Sequence, residues 1–367
     1  MMTPMRRILL AGVAVLVLAV AGGAWRLAER VKAPFQGYGG GEQFVDLPRG
    51  SSPQAIGHAL VASGVIRDPL VFRVALWQSG SARQLKAGEY RFDRPMTPRE
   101  VIDTLVRGDV FMRSITFPEG LTVRQMAEIY EARGFGPGAA FAAAASKAEL
   151  VAELDAEARD LEGYLFPETY ALSRHASAGQ LVSMMVARFR AVVDAGLIRE
   201  AADRGLSARQ VVTLASIVEK ETARPEERPL VAAVYLRRLR LRMALQSDPT
   251  VLFALARARR PTTNLTKDHL TFNSPYNTYR YPGLPPGPIA APGRRAIEAV
   301  VRAPETDFLY FVSRNDGSHV FARDLGEHNR NVQRYQVQFF KQNRLQGQRS
   351  RQAPSPAAGA REPAVRR

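Results

Sequence analysis

The chain has 367 residues, enough for two or three domains with a sizeable core. Cysteine is absent, which excludes a disulfide framework, a thiol nucleophile and thiolate metal sites. The net charge of +16 fits nucleic acid, anionic lipid or an acidic polymer as partner. Arginine runs along the whole chain and is not gathered on one basic helix with interleaved aromatics, which argues against a nucleic-acid module.

Residues 1–7 form a short basic head, and residues 8–25 carry no charge. That length is about the minimum for a bilayer-spanning helix. Arg6 and Arg7 precede the span, and Trp25 stands at an interface position. The length favours an uncleaved anchor over a cleaved signal peptide, for which Ala19-Val20-Ala21 would be the processing site. Residues 26–41 are expected to be a flexible linker, with Gly39-Gly40-Gly41 at its end. Those glycines neither follow a strand nor end in Gly-Lys-Ser/Thr, so they are not a phosphate loop.

Residues 42–112 read as a small α/β module. Phe44–Leu47 is a strand, Ser51 and Ser52 cap a helix, and Leu70–Leu76 is a second helix. Leu85–Phe92 is another strand, and Thr97 caps a third helix with Val101, Ile102 and Leu105 on its apolar face.

Residues 113–344 form a larger, mixed helical domain. Ser114–Phe117 is a strand, and Thr122 caps a helix that runs to Arg133. Helices are also expected over 139–158, 177–195, 207–223 and 226–242. Residues 273–292 hold too much Pro and Gly for a long regular element and would suit a cleft wall. Asn315-Asp316-Gly317 between two apolar runs signals a β-hairpin, and a last helix spans 327–343. Residues 345–367, rich in Gln, Arg, Pro and Ala, are expected to be a disordered basic tail. The fold class is therefore α+β behind an N-terminal transmembrane helix.

The chemistry points to Glu219. Ser207 and Gln210 make a capping-box pattern, and Val211, Val212, Leu214, Ala215, Ile217 and Val218 follow. At about 100° per residue, Val212, Ala215 and Glu219 share one stripe. A carboxylate on a buried stripe is costly to ionise, so its pKa should rise, as a general acid working near neutral pH requires. Pro225 ends the helix soon after and keeps the acid near an open end. Glu221 lies about 200° further round and is expected to meet solvent. The pattern alone equally allows Glu219 to be the first polar residue past a core helix, paired with an arginine. The five histidines show no paired metal-ligand spacing and there is no Gly-x-Ser-x-Gly elbow, so neither a metal site nor a cofactor is expected.

Several blocks in order carry a resemblance. These are Glu162-Gly163-Tyr164-Leu165-Phe166-Pro167-Glu168-Thr169-Tyr170, then Ala215-Ser216-Ile217-Val218-Glu219-Lys220-Glu221-Thr222, then Leu245-Gln246-Ser247-Asp248-Pro249-Thr250. Tyr276-Asn277-Thr278-Tyr279, Gly283-Leu284-Pro285-Pro286-Gly287-Pro288-Ile289 and His328-Asn329 complete the series. Together they closely resemble the endolytic murein transglycosylases, the MltG or YceG-like family, over about residues 42–342.

The resemblance implies a single-pass inner-membrane lyase whose catalytic domain, in the periplasm, cuts nascent peptidoglycan strands. It implies that Glu219 is the catalytic glutamate and that residues 42–112 form a LysM-like domain, which either contacts glycan or acts as a spacer. The implied partners are glycan strands, membrane lipid and peptidoglycan synthases. A non-catalytic peptidoglycan-binding scaffold is the alternative, against which the intact Glu219 block argues. Gln246, Asp248, Tyr276, Asn277 and Tyr279 are candidates for substrate contact, since amides suit N-acetyl groups and tyrosine rings stack on sugar faces. Turn formation or helix capping is the plainer role for Asp248, as packing is for His328. Glu162 and Glu168 are possible auxiliary acids.

Overall fold

The computed structural model describes residues 4–339 and 341 of the chain. The chain divides into two units: Met1–Ile115 with Tyr170–Ala176, and Thr116–Thr169 with Ser177–Arg367. The fold is α+β, mostly helical, with three two-stranded sheets among the described residues. The expected tail at 345–367 lies outside the described residues.

The first unit begins with α1 (Pro4–Lys32), of which Gly12–Lys32 is long and apolar enough to cross a membrane. It continues with β1 (Gln43–Leu47), α2 (Pro53–Ala62), α3 (Pro69–Ser79), β2 (Gly88–Phe92), α4 (Pro98–Arg107) and β3 (Arg113–Thr116). Ser52, Asp68 and Thr97 cap the three short helices through their side chains, each followed by a proline that is already set for a helix. β1 and β2 pair antiparallel from Gln43↔Phe92 to Leu47↔Gly88. Leu60, Phe72, Tyr90, Val101, Ile102 and Leu105 lie in the core.

The segment expected as a flexible linker is ordered here. α1 carries on through Arg26–Lys32, and Val31 is buried in the unit's core. Phe35 and Met96 exchange backbone hydrogen bonds, and Gly37 N–H donates to Gly64 carbonyl. Arg67 lies over the Phe35 ring. Gly39-Gly40-Gly41 are exposed, with open space around each.

The second unit opens with α5 (Val123–Ala132) and α6 (Gly138–Ala145), followed by a 3-10 turn at Ala148–Val151. The helix expected over 139–158 therefore stops early. Leu161 N–H returns to Ala145 carbonyl, and Asp155 is drawn inside by Tyr164 and Arg209. Those long-range bonds outweigh the propensity of an alanine-rich stretch. β4 (Thr169–Leu172), most of which belongs to the first unit, pairs with β3 there. Then come α7 (Ala178–Val192), α8 (Ala195–Asp203), α9 (Ala208–Glu221) and α10 (Arg228–Arg240). α11 (Asp248–Arg257), α12 (Lys267–Leu270) and α13 (Arg294–Val301) follow. β5 (Tyr310–Ser313) pairs antiparallel with β6 (His319–Ala322), and α14 (Leu325–Val332) runs into a π-helical turn at Gln333–Gln338.

α9 is the axis of this unit. Every residue from Val211 to Val218 is buried, and α8, α10, α11 and α13 pack around it. A helical stretch that is covered on all sides needs no polar stripe, which is why residues 211–218 are apolar apart from Thr213 and Ser216.

Candidate active site

α9 ends at the site. The Ser207 hydroxyl accepts from Gln210 N–H, and the Gln210 side chain accepts from Ser207 N–H, closing the expected capping box. At the other end Thr222 turns to extended backbone, three residues before Pro225. Glu219 thus sits on the last turn of a buried helix.

The segment Pro286–Gly293 runs along α9. Arg209 donates to Pro286 carbonyl, the Ser216 hydroxyl accepts from Ile289 N–H at 3.0 Å, and Gly293 N–H reaches Glu219 Oε2 at 3.0 Å. A polar residue inside the helix, Ser216, so serves to position the loop that supplies a donor to the acid. The loop after β3 is tied to the same segment: Gly120 N–H donates to Ala291 carbonyl, and Ala291 N–H donates to Leu121 carbonyl, both at 2.8 Å. Lys220 Nζ caps Gly120 carbonyl at 3.1 Å.

Glu219 is gripped on both oxygens. Arg228 Nη2, from the first position of α10, lies 2.5 Å from Oε1, and Gly293 N–H holds Oε2. The side chains of Glu219 and Arg228 are only 5% and 7% exposed. Arg228 Nη1 also faces Glu119 Oε2 at 3.5 Å, and Glu119 is 46% exposed. One guanidinium therefore serves two carboxylates, one buried and one at the surface. A Cβ on Gly293 would lie 1.9 Å from Glu119 Oε1, so the absence of a side chain there leaves room for that carboxylate.

Burial raises the Glu219 pKa above the usual carboxylate value. The Gly293 N–H and the Arg228 charge oppose this, and Glu119 adds to it. Desolvation wins, so the group can hold a proton where an exposed glutamate would not.

The other sequence candidates fall in two places. Gln246 is exposed, with φ of 51°, and its N–H donates to Thr278 carbonyl. Asp248 opens α11 and accepts the Tyr279 hydroxyl at 2.6 Å, so these two side chains are joined. Tyr276 packs on Phe253 and under Arg257. It lines a cavity of about 90 Å³ with Asp155, Glu162, Arg209 and Arg257, toward the opposite end of α9 from Glu219. Asn277 is fully buried. Its amide donates to Leu270 and Phe272 carbonyls, and its oxygen accepts from Tyr279 N–H. It staples the loop and has no face toward a sugar, which corrects its assignment to substrate contact.

Glu221 also departs from expectation. Its Oε1 accepts the Tyr235 and Ser247 hydroxyls at 2.6 and 2.5 Å, because the start of α11 lies over it, so it is only partly exposed and its carboxylate is held by two buried residues. Glu162 accepts from Val123 N–H at the start of α5, and burial pushes its pKa up to about 8. Glu168 pairs with Arg188 at the surface. His328 stacks on Tyr310 at 5.0 Å, a packing role.

Arg228, Glu119 and Gly293 escaped the sequence reading. Glu119 follows a strand in Pro118-Glu119-Gly120 and Arg228 starts the helix after the acid, but neither feature shows that the two meet, and Gly293 carries no local signal.

A buried acid at a helix end, held by an arginine and a backbone N–H, is an arrangement suited to proton transfer, here on an α+β scaffold. The chain belongs to the YceG-like family, whose model matches residues 45–334. It is 30% identical over 341 residues to the endolytic murein transglycosylase of Bacillus subtilis (strain 168), covering 86% of this chain and 91% of that one. It is 30% identical over 321 residues to the endolytic murein transglycosylase of Streptococcus pneumoniae serotype 2 (strain D39 / NCTC 7466), covering 78% of this chain and 57% of that one. A crystal structure of a putative YceG-like protein from Listeria monocytogenes superposes with a TM-score of 0.54 at 30% identity, covering 79% of this chain and 98% of that chain.

Proposed function

We propose that the protein is an endolytic lytic transglycosylase of peptidoglycan, a lyase anchored by α1, with Glu219 as its acid. The observation that carries this reading is the state of Glu219: a buried carboxyl with a raised pKa whose two oxygens are met by Arg228 and Gly293 N–H. The first feature suits an acid and the second suits the carboxylate that the acid becomes.

Protonated Glu219 gives its proton to the glycosidic oxygen leaving C1 of N-acetylmuramic acid, and the C1–O bond breaks. Arg228 and Gly293 N–H then stabilise the new carboxylate. The carboxylate takes the proton of the same sugar's C6 hydroxyl as O6 bonds to C1, closing a 1,6-anhydro ring. Glu219 ends protonated, as it began. The nucleophile belongs to the substrate, so its positioning is largely intramolecular and no second base is needed to activate water. Gln246, Asp248, Tyr276 and Tyr279 remain the proposed glycan contacts.

The first unit, with its order β1-α2-α3-β2-α4, supports a LysM-like module that contacts glycan or sets the height of the site above the membrane. Export of both units, and a place beside peptidoglycan synthases and membrane lipid, belong to the same proposal. Mass spectrometry of products from purified glycan strands tests it. Anhydro ends are expected; ends heavier by one water would mean hydrolysis and overturn the reaction class.

A further inference from the structure

Glu119 and Glu219 contend for one guanidinium. Arg228 is almost fully buried, with Nη2 at 2.5 Å from Glu219 and Nη1 at 3.5 Å from Glu119. Its Nε has no hydrogen-bond partner among the described residues, so no third bond locks the plane of the group. The backbone around Glu119 is fixed on both sides, by Phe117 N–H to Glu168 carbonyl and by Gly120 N–H to Ala291 carbonyl. Lys220 adds a third tie at Gly120. A rigid loop thus presents a half-exposed carboxylate to the arginine that holds the buried one, over a glycine that leaves it room.

Resting on the assignment of Glu219 as the acid, we propose that Glu119 is a positioning residue of the transglycosylation site. By drawing Arg228 toward itself it frees Glu219 Oε1 to carry the proton. When that proton has passed to the leaving oxygen, Arg228 returns to the new carboxylate.

The charges acting on Glu219 support this division. Arg228 from α10 and Lys220 from α9 itself favour the carboxylate, and Glu119 favours the acid. Of the other charged groups on the surrounding helices, Arg294 of α13 pairs with Glu298, Glu200 of α8 with Arg302, and Asp248 of α11 accepts the Tyr279 hydroxyl. Glu221 is held by Tyr235 and Ser247. Glu119 is therefore the group that sets how much of Arg228 the acid receives.

The test is the pH dependence of kcat and KM of the full chain in detergent micelles on uniform glycan strands. Wild type, Glu119→Gln, Glu119→Asp and Glu219→Gln are compared. Glu119→Gln should move the basic limb of kcat to lower pH and reduce kcat near neutrality about tenfold, the effect of one unit in a proton equilibrium. KM should hardly change, because Glu119 acts through Arg228 and not on the sugar. Glu119→Asp, which keeps the charge, should bring the limb back toward wild type. An unmoved limb in Glu119→Gln, or an effect confined to KM, overturns the inference while an inactive Glu219→Gln leaves the acid assignment standing. An active Glu219→Gln overturns that assignment and the inference with it.

Discussion

The Ser247 hydroxyl donates to Glu221 Oε1 at 2.5 Å, and this bond joins the end of α9 to the start of α11. Tyr235 on α10 donates to the same oxygen at 2.6 Å. Two glutamates only two positions apart thus have opposite duties. Glu219 faces the loops that line the proposed reaction site, while Glu221 binds three helices into one frame. That frame fixes the neighbours of Ser247, the proposed glycan contacts Gln246 and Asp248.

Loss of Glu221 should therefore appear in stability before chemistry. Glu221→Ala leaves two enclosed hydroxyls unpaired, a cost of about 1–3 kcal/mol. For a domain of this size that lowers Tm by roughly 2–4 °C per kcal/mol. Burial raises the Glu221 pKa, so its neutral form is the one the fold prefers. That stability is fully present below the unfolded-state pKa and is lost as pH rises through the folded one. Glu221→Gln, which stays neutral, should gain on wild type as pH rises. Thermal melts across pH decide this, and a constant difference would show that Glu221 ionises at no cost in the fold.

For the acid itself the expectation is a loss of turnover without loss of fold. Glu219→Gln keeps an oxygen for Arg228 but has no acidic proton, so anhydro product should fall by ~10²–10⁴. Circular dichroism and glycan binding should match wild type. If Glu219→Gln kept its activity while Glu162→Gln or Glu168→Gln lost it, the residue choice would be wrong. The structure places Glu162 at the start of α5 and Glu168 beside Arg188.

The acid was legible because its signal is local: a capping box, an apolar run and a proline stop all lie within twenty residues of Glu219. Its partners were not, because they converge through tertiary structure. Glu119 lies 100 positions upstream, on a loop after a strand, and Gly293 lies 74 positions downstream, at the end of a proline-rich loop. Nothing in either neighbourhood announces a shared arginine. α8, α11, α12 and α13 were also missed: all are short, and α13 directly follows the Pro- and Gly-rich stretch that reads as a loop. Asn277 shows the reverse failure. Its residue type suits a sugar amide, but the loop spends all of that amide on its own backbone.

The raised pKa of Glu219 predicts a one-sided pH profile. The protonated form must act first, so kcat should fall as pH rises through that pKa. Single-turnover rates of the full chain between about pH 5 and 8 test the sign. A flat profile would show that Glu219 is not desolvated or that chemistry is not the slow step.

The anchor makes a prediction of its own. Gly12–Lys32 is long and apolar enough to cross a membrane, and α1 continues into the first unit's core through Val31. A reporter enzyme fused after residue 345 should be active only when the body is exported. The fusion should also keep the mass of residues 1–25. A cytoplasmic reporter signal would reverse the topology, and a shorter band would favour a cleaved signal peptide.

The last prediction uses Gly293 as a lever on the shared arginine. Its φ of −78° suits alanine, so the backbone should accept Gly293→Ala. The new Cβ would lie 1.9 Å from Glu119 Oε1, which is the free end of a half-exposed side chain and can swing away. Glu119 would then leave Arg228 to Glu219, as in Glu119→Gln, while Gly293 N–H still serves Glu219. The fold should lose little, since Glu119 is half exposed and Arg228 keeps its bond to Glu219. The basic limb of kcat should shift in the same direction as for Glu119→Gln. In the double variant the two changes should not add, because both remove one carboxylate from one guanidinium. Additive shifts would mean that Gly293 acts on Glu219 by a route that does not pass through Glu119.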